Sequence, residues 1–341
     1  MSDSSLQRRE FLKRLGLAGA GLAIGGAEMP QSHAQENQAK PGEWKVPRRK
    51  FGRHDFTVSA LALGGHALRL ASDEEAAKMI DTAEELGIDF LDNCWDYHDG
   101  ASEELMGKLI DGRRDKFFVM TKVCTHFDGG YKEAMRMLDE SLARLRTDYL
   151  DLWQWHAVAT MEQVEKGFAP GGVVEALTEA KKSGKVRYVG FTGHTNPQVH
   201  LAVLAHKYPF DSCQFPVSAV EASGGGFVET VLPEVVKQGI APLAMKTFAG
   251  GFQPVEAGLI TVEEGLTFSW SQPITTVVSG VRSDAQLRQN AGIAASYKPM
   301  THEQQLALIE RVKPAAESLR FQPYRKWMSY RDGDSAVRGL A

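Results

Sequence analysis

Residues 89–107 read DFLDNCWDYHDGASEELMG, and this stretch contains a strand, a loop and the start of a helix. Asp89 to Asn93 is predicted to be a strand, and a helix is predicted over about 102–111. The same unit recurs on both sides of this stretch. We predict further strands at 61–64, 117–123, 149–155, 186–191, 212–216, 241–247 and 275–279, and further helices at 72–87, 131–146, 172–182, 197–206, 229–238, 262–271 and from Ser283 onwards.

Eight strands, each followed by a helix, predict an α/β fold of the (β/α)8 TIM-barrel class. An open dinucleotide-binding sheet would use about six strands and a Gly-rich first turn. A β-hairpin around residues 46–59 precedes the barrel, and a capping box at residues 301–304 begins an extra C-terminal helix. The first barrel helix begins with another predicted capping box, in which Ser72 accepts a backbone hydrogen bond and Glu75 reaches back.

The first forty residues have the pattern of an export signal. Arg8 and Arg9 precede an apolar stretch from Leu15 to Gly26, and Ser32-His33-Ala34 offers a small-residue cleavage site. This order predicts a twin-arginine (Tat) signal peptide over 1–34, a linker over 35–45 and the barrel over 46–341. A periplasmic location is then expected, with the Tat translocase as a partner during export. The alternative is a disordered basic tail.

Composition excludes several other classes of protein. The chain has 39 Lys and Arg against 43 Asp and Glu, a formal charge of −4, and this balance argues against nucleic-acid binding. No apolar run approaches the roughly 20 residues of a membrane-spanning helix, so stable membrane insertion is not expected. The three cysteines, Cys94, Cys124 and Cys213, are too few and too scattered for a disulfide framework or a cysteine-rich metal site. We expect them to be buried, and we predict no metal.

Four polar residues fall at or just beyond the ends of three adjacent strands. Asp92 ends the second strand, Lys122 the third and His156 the fourth, and Tyr97 lies in the loop after the second. Because the carboxyl ends of parallel barrel strands share one rim, these side chains should meet there. Asp92 and Lys122 would be costly to bury separately and much less so as a pair.

Such a set of side chains is suited to carbonyl reduction. Tyr97 could donate a proton to the oxygen, provided that Lys122 lowers its pKa from about 10 and Asp92 holds Lys122 in place. His156 could hydrogen-bond the substrate oxygen, and the hydride would have to come from a cofactor. The alternative for each residue is structural: an Asp–Lys ion pair and a satisfied His at a strand end.

Three stretches carry a family resemblance: 90–107 (FLDNCWDYHDGASEELMG), 119–122 (VMTK) and 151–156 (DLWQWH). They resemble the signatures at the second, third and fourth strands of the aldo-keto reductases, and the likeness runs from near Phe51 to Asn290. The resemblance implies a barrel, NADPH bound in extended form across its mouth and a small carbonyl substrate. It also implies a catalytic tetrad of Asp92, Tyr97, Lys122 and His156.

The cofactor residues follow from the same resemblance. NADP(H) is expected, with NAD(H) as the alternative. Gly193 stands where the family usually has Asn, and Met245 where many members have an aromatic ring. The nucleotide end combines Gly280, which lets the backbone approach phosphate, with a helix N-terminus and Arg282. The residues expected to contact the cofactor are Thr192, Gly193, Gln214, Met245, Ser279, Gly280, Arg282, Gln286 and Asn290.

Other interpretations stay open. Trp95 and Trp155 adjoin the tetrad and could wall a substrate pocket, or could simply pack in the core. A protein that binds NADPH with little turnover is one alternative function. A metal-dependent hydrolase is another, with Asp92, His98, His126 and His156 as ligands.

Overall fold

Eight parallel strands close into a barrel. The computed structural model describes residues 44–124, 130–224 and 226–317. Each barrel strand pairs with its neighbours in sequence, and the last strand pairs with the first. The strands are β1 (Arg48–Lys50), β2 (Thr57–Ser59), β3 (Leu61–Gly64), β4 (Phe90–Asp92), β5 (Phe118–Val123), β6 (Leu150–Trp155), β7 (Val186–Thr192), β8 (Ser212–Pro216), β9 (Ala241–Met245) and β10 (Thr276–Ser279), with β3 to β10 forming the barrel. The predicted (β/α)8 barrel is confirmed.

The antiparallel β1–β2 hairpin covers the amino-terminal end of the barrel. Phe51, which follows β1, is fully buried. Its ring lies 5.3 Å from that of Phe118 and 5.7 Å from that of Tyr188, near the starts of β5 and β7. Since aromatic rings at this spacing exclude water, this end is closed, and the opposite rim is left for chemistry.

Helices follow the barrel strands on the outside. They are α1 (Gly65–Leu68), α2 (Asp73–Leu86), α3 (Ala101–Leu109), α4 (Tyr131–Arg144), α5 (Met161–Phe168), α6 (Val173–Lys182), α7 (Pro197–Ala205), α8 (Ala219–Ala222), α9 (Phe227–Lys237), α10 (Gln253–Glu256), α11 (Val262–Trp270), α12 (Asp284–Ser296) and α13 (His302–Glu317). The sequence analysis missed α5 and the one-turn helices. A complete capping box between Thr160 and Gln163 begins α5, and this was the signal that could have revealed it.

The two predicted capping boxes differ in outcome. At the start of α13, Thr301 and Gln304 make both reciprocal hydrogen bonds, as predicted. At the start of α2, Ser72 accepts from the backbone N–H of Glu75 at 3.2 Å. The Glu75 carboxylate, however, accepts from the backbone N–H of Asp284 at 2.6 Å. The prediction that Glu75 reaches back was wrong, because its side chain instead joins α2 to the start of α12.

Strand alternation decides which side chains point into the barrel. Phe90, Met120 and Leu152 pack together in a small core inside it, whereas the intervening Leu91 and Val119 belong to the core under the helices. Successive side chains of a strand point to opposite faces. Asp92 and Lys122 lie two residues after Phe90 and Met120, so they also face inward, at the carboxyl ends of β4 and β5.

In the part of the chain that the structure describes, no helix is both long enough and apolar enough to cross a membrane. The predicted signal peptide and linker fall on residues 1–45, of which 1–43 lie outside the described residues.

Candidate active site

A buried ion pair lies at the carboxyl-terminal rim of the barrel. Lys122 Nζ is 2.8 Å from Asp92 Oδ1, and each residue is 2 % exposed. The ammonium also donates to the Asn93 carbonyl oxygen at 2.7 Å and to the Tyr97 hydroxyl at 3.4 Å. Asp92 Oδ2 accepts from Gln214 Nε2 at 3.0 Å, across the barrel. The structure therefore brings together three of the four predicted rim residues through direct contacts.

The protonation states of this group follow from burial and charge. Burial by itself would lower the pKa of Lys122, but the Asp92 carboxylate and the neighbouring Tyr97 and Cys94 together outweigh it, so the pKa is raised and the side chain is an ammonium. Burial raises the pKa of Tyr97 above its ordinary value, and the opposing effect of the Lys122 cation is smaller. Lys122 thus acts on the Tyr97 pKa in the expected direction, but the expected net lowering is wrong because burial has the larger effect. The phenol keeps its proton at neutral pH.

Tyr97 begins a tight turn. His98 and Asp99 both have φ of 55°, in the left-handed region, and Gly100 follows with φ of 92°. Non-glycine residues in this region are costly and concentrate at functional sites. A side chain at Gly100 would lie 2.4 Å from Cζ of Arg144, so glycine is required there. The turn fixes the position of the Tyr97 ring at the rim.

His66 was missed by the sequence analysis. Its ring stacks on that of His98 at 4.5 Å and lies edge-on to that of Tyr97 at 5.3 Å. Burial, followed by the charges of neighbouring groups, lowers the pKa of His66 to about 4, so the imidazole is neutral. Its position two residues after the end of β3 was the available signal, because that places it on the same rim.

A buried carboxylate supports the loop after β4. Glu103 on α3 is fully buried and accepts from the hydroxyl of Thr121 at 2.5 Å. Arg144 on α4 pairs with Glu103 at 3.2 Å and donates to the carbonyl oxygen of Trp95 at 2.9 Å. Helices α3 and α4 thereby hold the segment that leads into Tyr97.

Of the two tryptophans predicted to wall a pocket, Trp155 lies elsewhere, and the assignment of Trp95 stays a prediction. Trp155 is 1 % exposed and packs against Phe168 on α5, and a side chain at Gly167 would lie 2.2 Å from its ring. It points out of the barrel into the core under the helices, so its assignment to a substrate pocket was wrong. The Trp95 indole N–H donates to Glu140 on α4 at 2.8 Å, which turns this ring towards α4.

His156, the fourth predicted residue, follows β6 and contacts two thiols. Its Nδ1 lies 3.2 Å from Cys94 Sγ and 3.4 Å from Cys124 Sγ, and the two sulfurs are 3.5 Å apart. The ring of Tyr97 lies 6.2 Å away, nearly perpendicular to the imidazole. The side chain of Asp96 joins the same group, with all four ligand-type atoms within 4.8 Å of one another. We call Cys94, Asp96, Cys124 and His156 the Cys–His cluster.

The sequence analysis judged the cysteines too scattered for a metal site, but strand pairing brings two of them together. Cys94 follows β4 and Cys124 follows β5, which are neighbours in the barrel. Burial raises the pKa of both thiols, and the negative charge of Asp96 acts in the same direction. Cys213 is also buried, but it lies on β8 and is not part of the Cys–His cluster.

The ligand set of the metal-dependent hydrolase is not assembled among the residues that the structure describes. Asp92 is paired with Lys122, and His98 stacks on His66. His126 lies outside the described residues. Within those residues, the group that could hold a metal ion is the Cys–His cluster.

The predicted nicotinamide contacts lie on β7, β8 and β9. The hydroxyl of Thr192 accepts from a backbone N–H at 3.0 Å. A Cβ at Gly193 would lie 2.4 Å from the ring of His200 and 2.5 Å from the Val158 carbonyl oxygen, so there is no room for the family's usual Asn. Gln214 Oε1 is buried and has no hydrogen-bond partner among the described residues. Met245 is half-buried at the end of β9.

The predicted nucleotide end lies between β10 and α12. Ser279 accepts from Asn290 Nδ2 at 2.9 Å, and the Gln286 side chain accepts from the backbone N–H of Arg282 at 2.8 Å. These bonds use Ser279, Gln286 and Asn290 to shape the loop. A side chain at Gly280 would meet nothing closer than 3.4 Å. Arg282 is exposed, and within the described ranges its guanidinium forms no ion pair.

Lys246 is a second residue that the sequence analysis missed. It follows β9 directly and has φ of 55°. Burial, and then the charge of Lys122, lower the pKa of Lys246 to about 8. The charges of Lys246 and Arg282 both act on His66, so the two cations flank the same part of the rim. The available signal was a lysine near the carboxyl end of the strand predicted over 241–247.

Comparison with known proteins agrees with this arrangement. The model of the aldo/keto reductase family matches residues 60–256, which span β3 to β9. The chain belongs to the aldo/keto reductase family. Its fold is that of a solved aldo-keto reductase from Bacillus halodurans in its holo form, with a TM-score of 0.64 and 23 % identity over 78 % of this chain and 96 % of that one.

Curated relatives of this family member match over part of their length. The oxidoreductase YqkF of Bacillus subtilis is 32 % identical over 157 residues, which is 42 % of this chain and 48 % of the relative. Aldo-keto reductase yakc of Schizosaccharomyces pombe is 30 % identical over 208 residues, 56 % of each chain. The chain therefore spans about half the length of these relatives.

Proposed function

We propose that this aldo/keto reductase is an NADP(H)-dependent oxidoreductase that reduces aldehydes or ketones to alcohols, or catalyses the reverse reaction. One observation carries the proposal. The hydroxyl of Tyr97 lies 3.4 Å from the ammonium of Lys122, which is itself held by Asp92. A protonated phenol beside a fixed cation at a barrel rim is suited to donate a proton to an oxygen that becomes negative.

The residues present fit a nicotinamide dinucleotide. Gln214 Oε1, buried without a partner among the described residues, can accept from the nicotinamide amide. The open backbone at Gly280 and the cations of Lys246 and Arg282 suit phosphate groups. The name of the Schizosaccharomyces pombe relative specifies NADP(+), which supports the phosphorylated form. When bound, this cofactor supplies the hydride for the carbonyl carbon.

The chain's own groups supply the rest of the reaction. Tyr97 gives its proton to the substrate oxygen as negative charge develops there, and the nearby Lys122 cation stabilises the resulting phenolate. Asp92 keeps Lys122 in position and charged. His156 faces the thiols with Nδ1, and we assign to its Nε2 the hydrogen bond that orients the substrate oxygen. In the reverse direction the same groups act in the opposite order.

The proposal is tested by measuring NADPH oxidation by the protein from Gln35 onwards with a panel of aldehydes and ketones. Tyr97→Phe should lower kcat/KM by about 10²–10⁴-fold with cofactor binding retained, because only the donated proton is lost. Tyr208→Phe is the matched control, since Tyr208 bonds to Thr178 on the outer helices. A Tyr97→Phe variant as active as the Tyr208→Phe control would refute the assignment.

A second function has one structural observation in its favour. Gly193 lacks the usual carboxamide, and His200 fills the space where one would lie. A protein with one fewer nicotinamide contact could hold NADPH with little turnover. Single-turnover oxidation of bound NADPH separates the two: hydride transfer to any carbonyl of the panel supports the enzyme, and tight binding without transfer supports the binding or sensor protein.

We also propose that residues 1–34 direct export through the Tat pathway to the periplasm. A pathway for folded proteins would let the barrel cross with its cofactor already bound, which would explain how an exported protein obtains NADP(H). Cell fractionation of the full chain, with a double Arg8→Lys, Arg9→Lys variant, tests this. Equal export of both forms would refute the signal, and nucleotide-free protein from the periplasm would refute the carriage of cofactor.

A further inference from the structure

We propose that the Cys–His cluster beside Tyr97 binds one Zn²⁺ ion, with ligands from Cys94, Asp96, Cys124 and His156. The site stands on its own geometry and does not require the proposed reductase activity. Two thiols, an imidazole and a carboxylate form a ligand set that Zn²⁺ takes in proteins.

The distances among the two sulfurs and His156 Nδ1 are close to those of a tetrahedral zinc centre. Zn–S bonds of about 2.3 Å and Zn–N bonds of about 2.0 Å would separate two sulfurs by about 3.8 Å and a sulfur from a nitrogen by about 3.5 Å. The observed separations are 3.5 Å between the sulfurs, and 3.2 and 3.4 Å from the sulfurs to His156 Nδ1. Each differs from the tetrahedral value by about 0.3 Å or less. The two thiols and His156 therefore need only small movements to close around an ion, and the carboxylate of Asp96 lies within 4.8 Å of all three as the fourth ligand.

The polypeptide holds the ligands on separate, rigid elements. Cys94 and Asp96 lie in the supported loop after β4, Cys124 directly follows β5, and His156 directly follows β6. Both cysteines are fully buried, whereas Asp96 and His156 are half-buried and keep the cluster within reach of the rim. Sites built on the ends of barrel strands keep their geometry without the metal, so binding requires little reorganisation.

The charges also balance. Binding exchanges two thiol protons for one Zn²⁺, so two H⁺ are released, and two thiolates with one carboxylate leave a net charge of −1 on the loaded site. The Lys122 cation acts on Cys94 and opposes that residual charge. A dication is therefore more compatible with this buried position than a pair of free thiolates.

Zinc at this site would fix the tautomer of His156. The ion takes the lone pair of Nδ1, so the ring proton must be on Nε2, the nitrogen that the proposed reaction uses to orient substrate. Metal-bound imidazoles characteristically donate through their second nitrogen. Zinc bound to the Cys–His cluster would thus position His156 in one tautomer. Without the ion, a neutral imidazole could adopt either tautomer.

The test uses the purified full chain, stripped with chelator and fully reduced. Equilibrium dialysis against Zn²⁺ with metal analysis should give one ion per chain, and Co²⁺ as a spectroscopic probe should give the absorption of a tetrahedral thiolate complex. Cys94→Ser and Cys124→Ser should each weaken binding by more than 100-fold, beyond the 10–100-fold effect of losing an outer partner. Cys213→Ser, which removes the third thiol, is the matched control and should bind as the wild type does.

Folding of each variant is checked by circular dichroism, and the wild type gives a readout that needs no variant: Zn²⁺ should raise its melting temperature. Substoichiometric binding by the reduced wild type, or unchanged binding by folded Cys94→Ser, would overturn the proposal. So would a Cys94–Cys124 disulfide in the isolated protein whose reduction restores no metal binding. Because metal content is measured without turnover, loss of the reductase proposal would leave this site intact, and the reverse also holds.

Discussion

Replacing Lys122 with Met should destabilise the whole protein, independently of any activity. At a separation of 2.8 Å and an effective dielectric constant of about 20, the attraction between Lys122 and Asp92 is about 6 kcal/mol. Most of this attraction offsets the cost of burying the two charges. Removing one partner leaves the other charge buried, and this typically costs about 3–5 kcal/mol. At about 2 °C per kcal/mol for a protein of this size, the melting temperature should fall by roughly 6–10 °C.

Asp92→Asn in the same background provides the decisive comparison. In Lys122→Met the Asp92 carboxylate keeps one hydrogen bond, from Gln214 at 3.0 Å, which is too little to stabilise a buried charge. The double variant removes both charges and should recover at least half of the loss, because no unpaired ion remains. The melting temperatures of the wild type, the two single variants and the double variant, measured by circular dichroism at pH 7, complete one thermodynamic cycle.

Two results would refute this reasoning. One is a Lys122→Met variant that melts within about 2 °C of the wild type, which would mean that water or a neighbouring group solvates Asp92 as well as Lys122 does. The other is a double variant that is less stable than Lys122→Met. In that case the destabilisation would come from lost packing of the long lysine side chain, and the ion pair would not be its cause.

Two further predictions concern the rim. Gly193→Ala should lower the free energy of unfolding by about 1–3 kcal/mol, because its Cβ would lie 2.4 Å from the His200 ring and 2.5 Å from the Val158 carbonyl oxygen. Gly292→Ala, whose Cβ meets nothing within 3.6 Å, is the control. Equal melting temperatures of the two variants would contradict the packing argument. Lys246 has its pKa lowered to about 8, so it is charged at pH 7 and neutral at pH 9. The affinity for NADP(H), measured by fluorescence titration, should therefore fall by about tenfold between these pH values. Lys246→Arg should abolish the fall, because arginine stays charged. If Lys246→Arg shows the same pH dependence as the wild type, Lys246 does not belong to the phosphate site.

Local sequence patterns were enough to predict the barrel and most of the residues at its rim. The eight barrel strands were located to within two residues at each end, because short apolar strands and capped helices are local patterns. Since all strands of a closed parallel barrel end on one rim, Asp92, Lys122 and His156 could be placed together without coordinates. Their proximity therefore follows from topology.

Other predictions failed because the sequence pattern was ambiguous. Strand β6 (Leu150–Trp155) is buried on both faces, so apolar residues occupy both sets of alternate positions and the sequence cannot say which set faces inward. Trp155 was assigned to the pocket because it adjoins His156 in sequence, although it faces outward and packs on α5. The direction of the Tyr97 pKa failed similarly, since burial depends on residues such as His66 that are distant in sequence.

Which distant side chains meet at atomic distance depends on how the strands assemble into the closed barrel. Cys94 and Cys124 are thirty residues apart and carry no spacing motif, yet the pairing of β4 with β5 brings their sulfurs to 3.5 Å from each other. The pairing of β5 with β6 then places His156 beside both sulfurs. Local periodicity specifies the face of an element, whereas contacts between elements depend on register and barrel closure. The sequence thus determined where chemistry gathers in this protein, and the closed barrel decided that two thiols would share that place with His156.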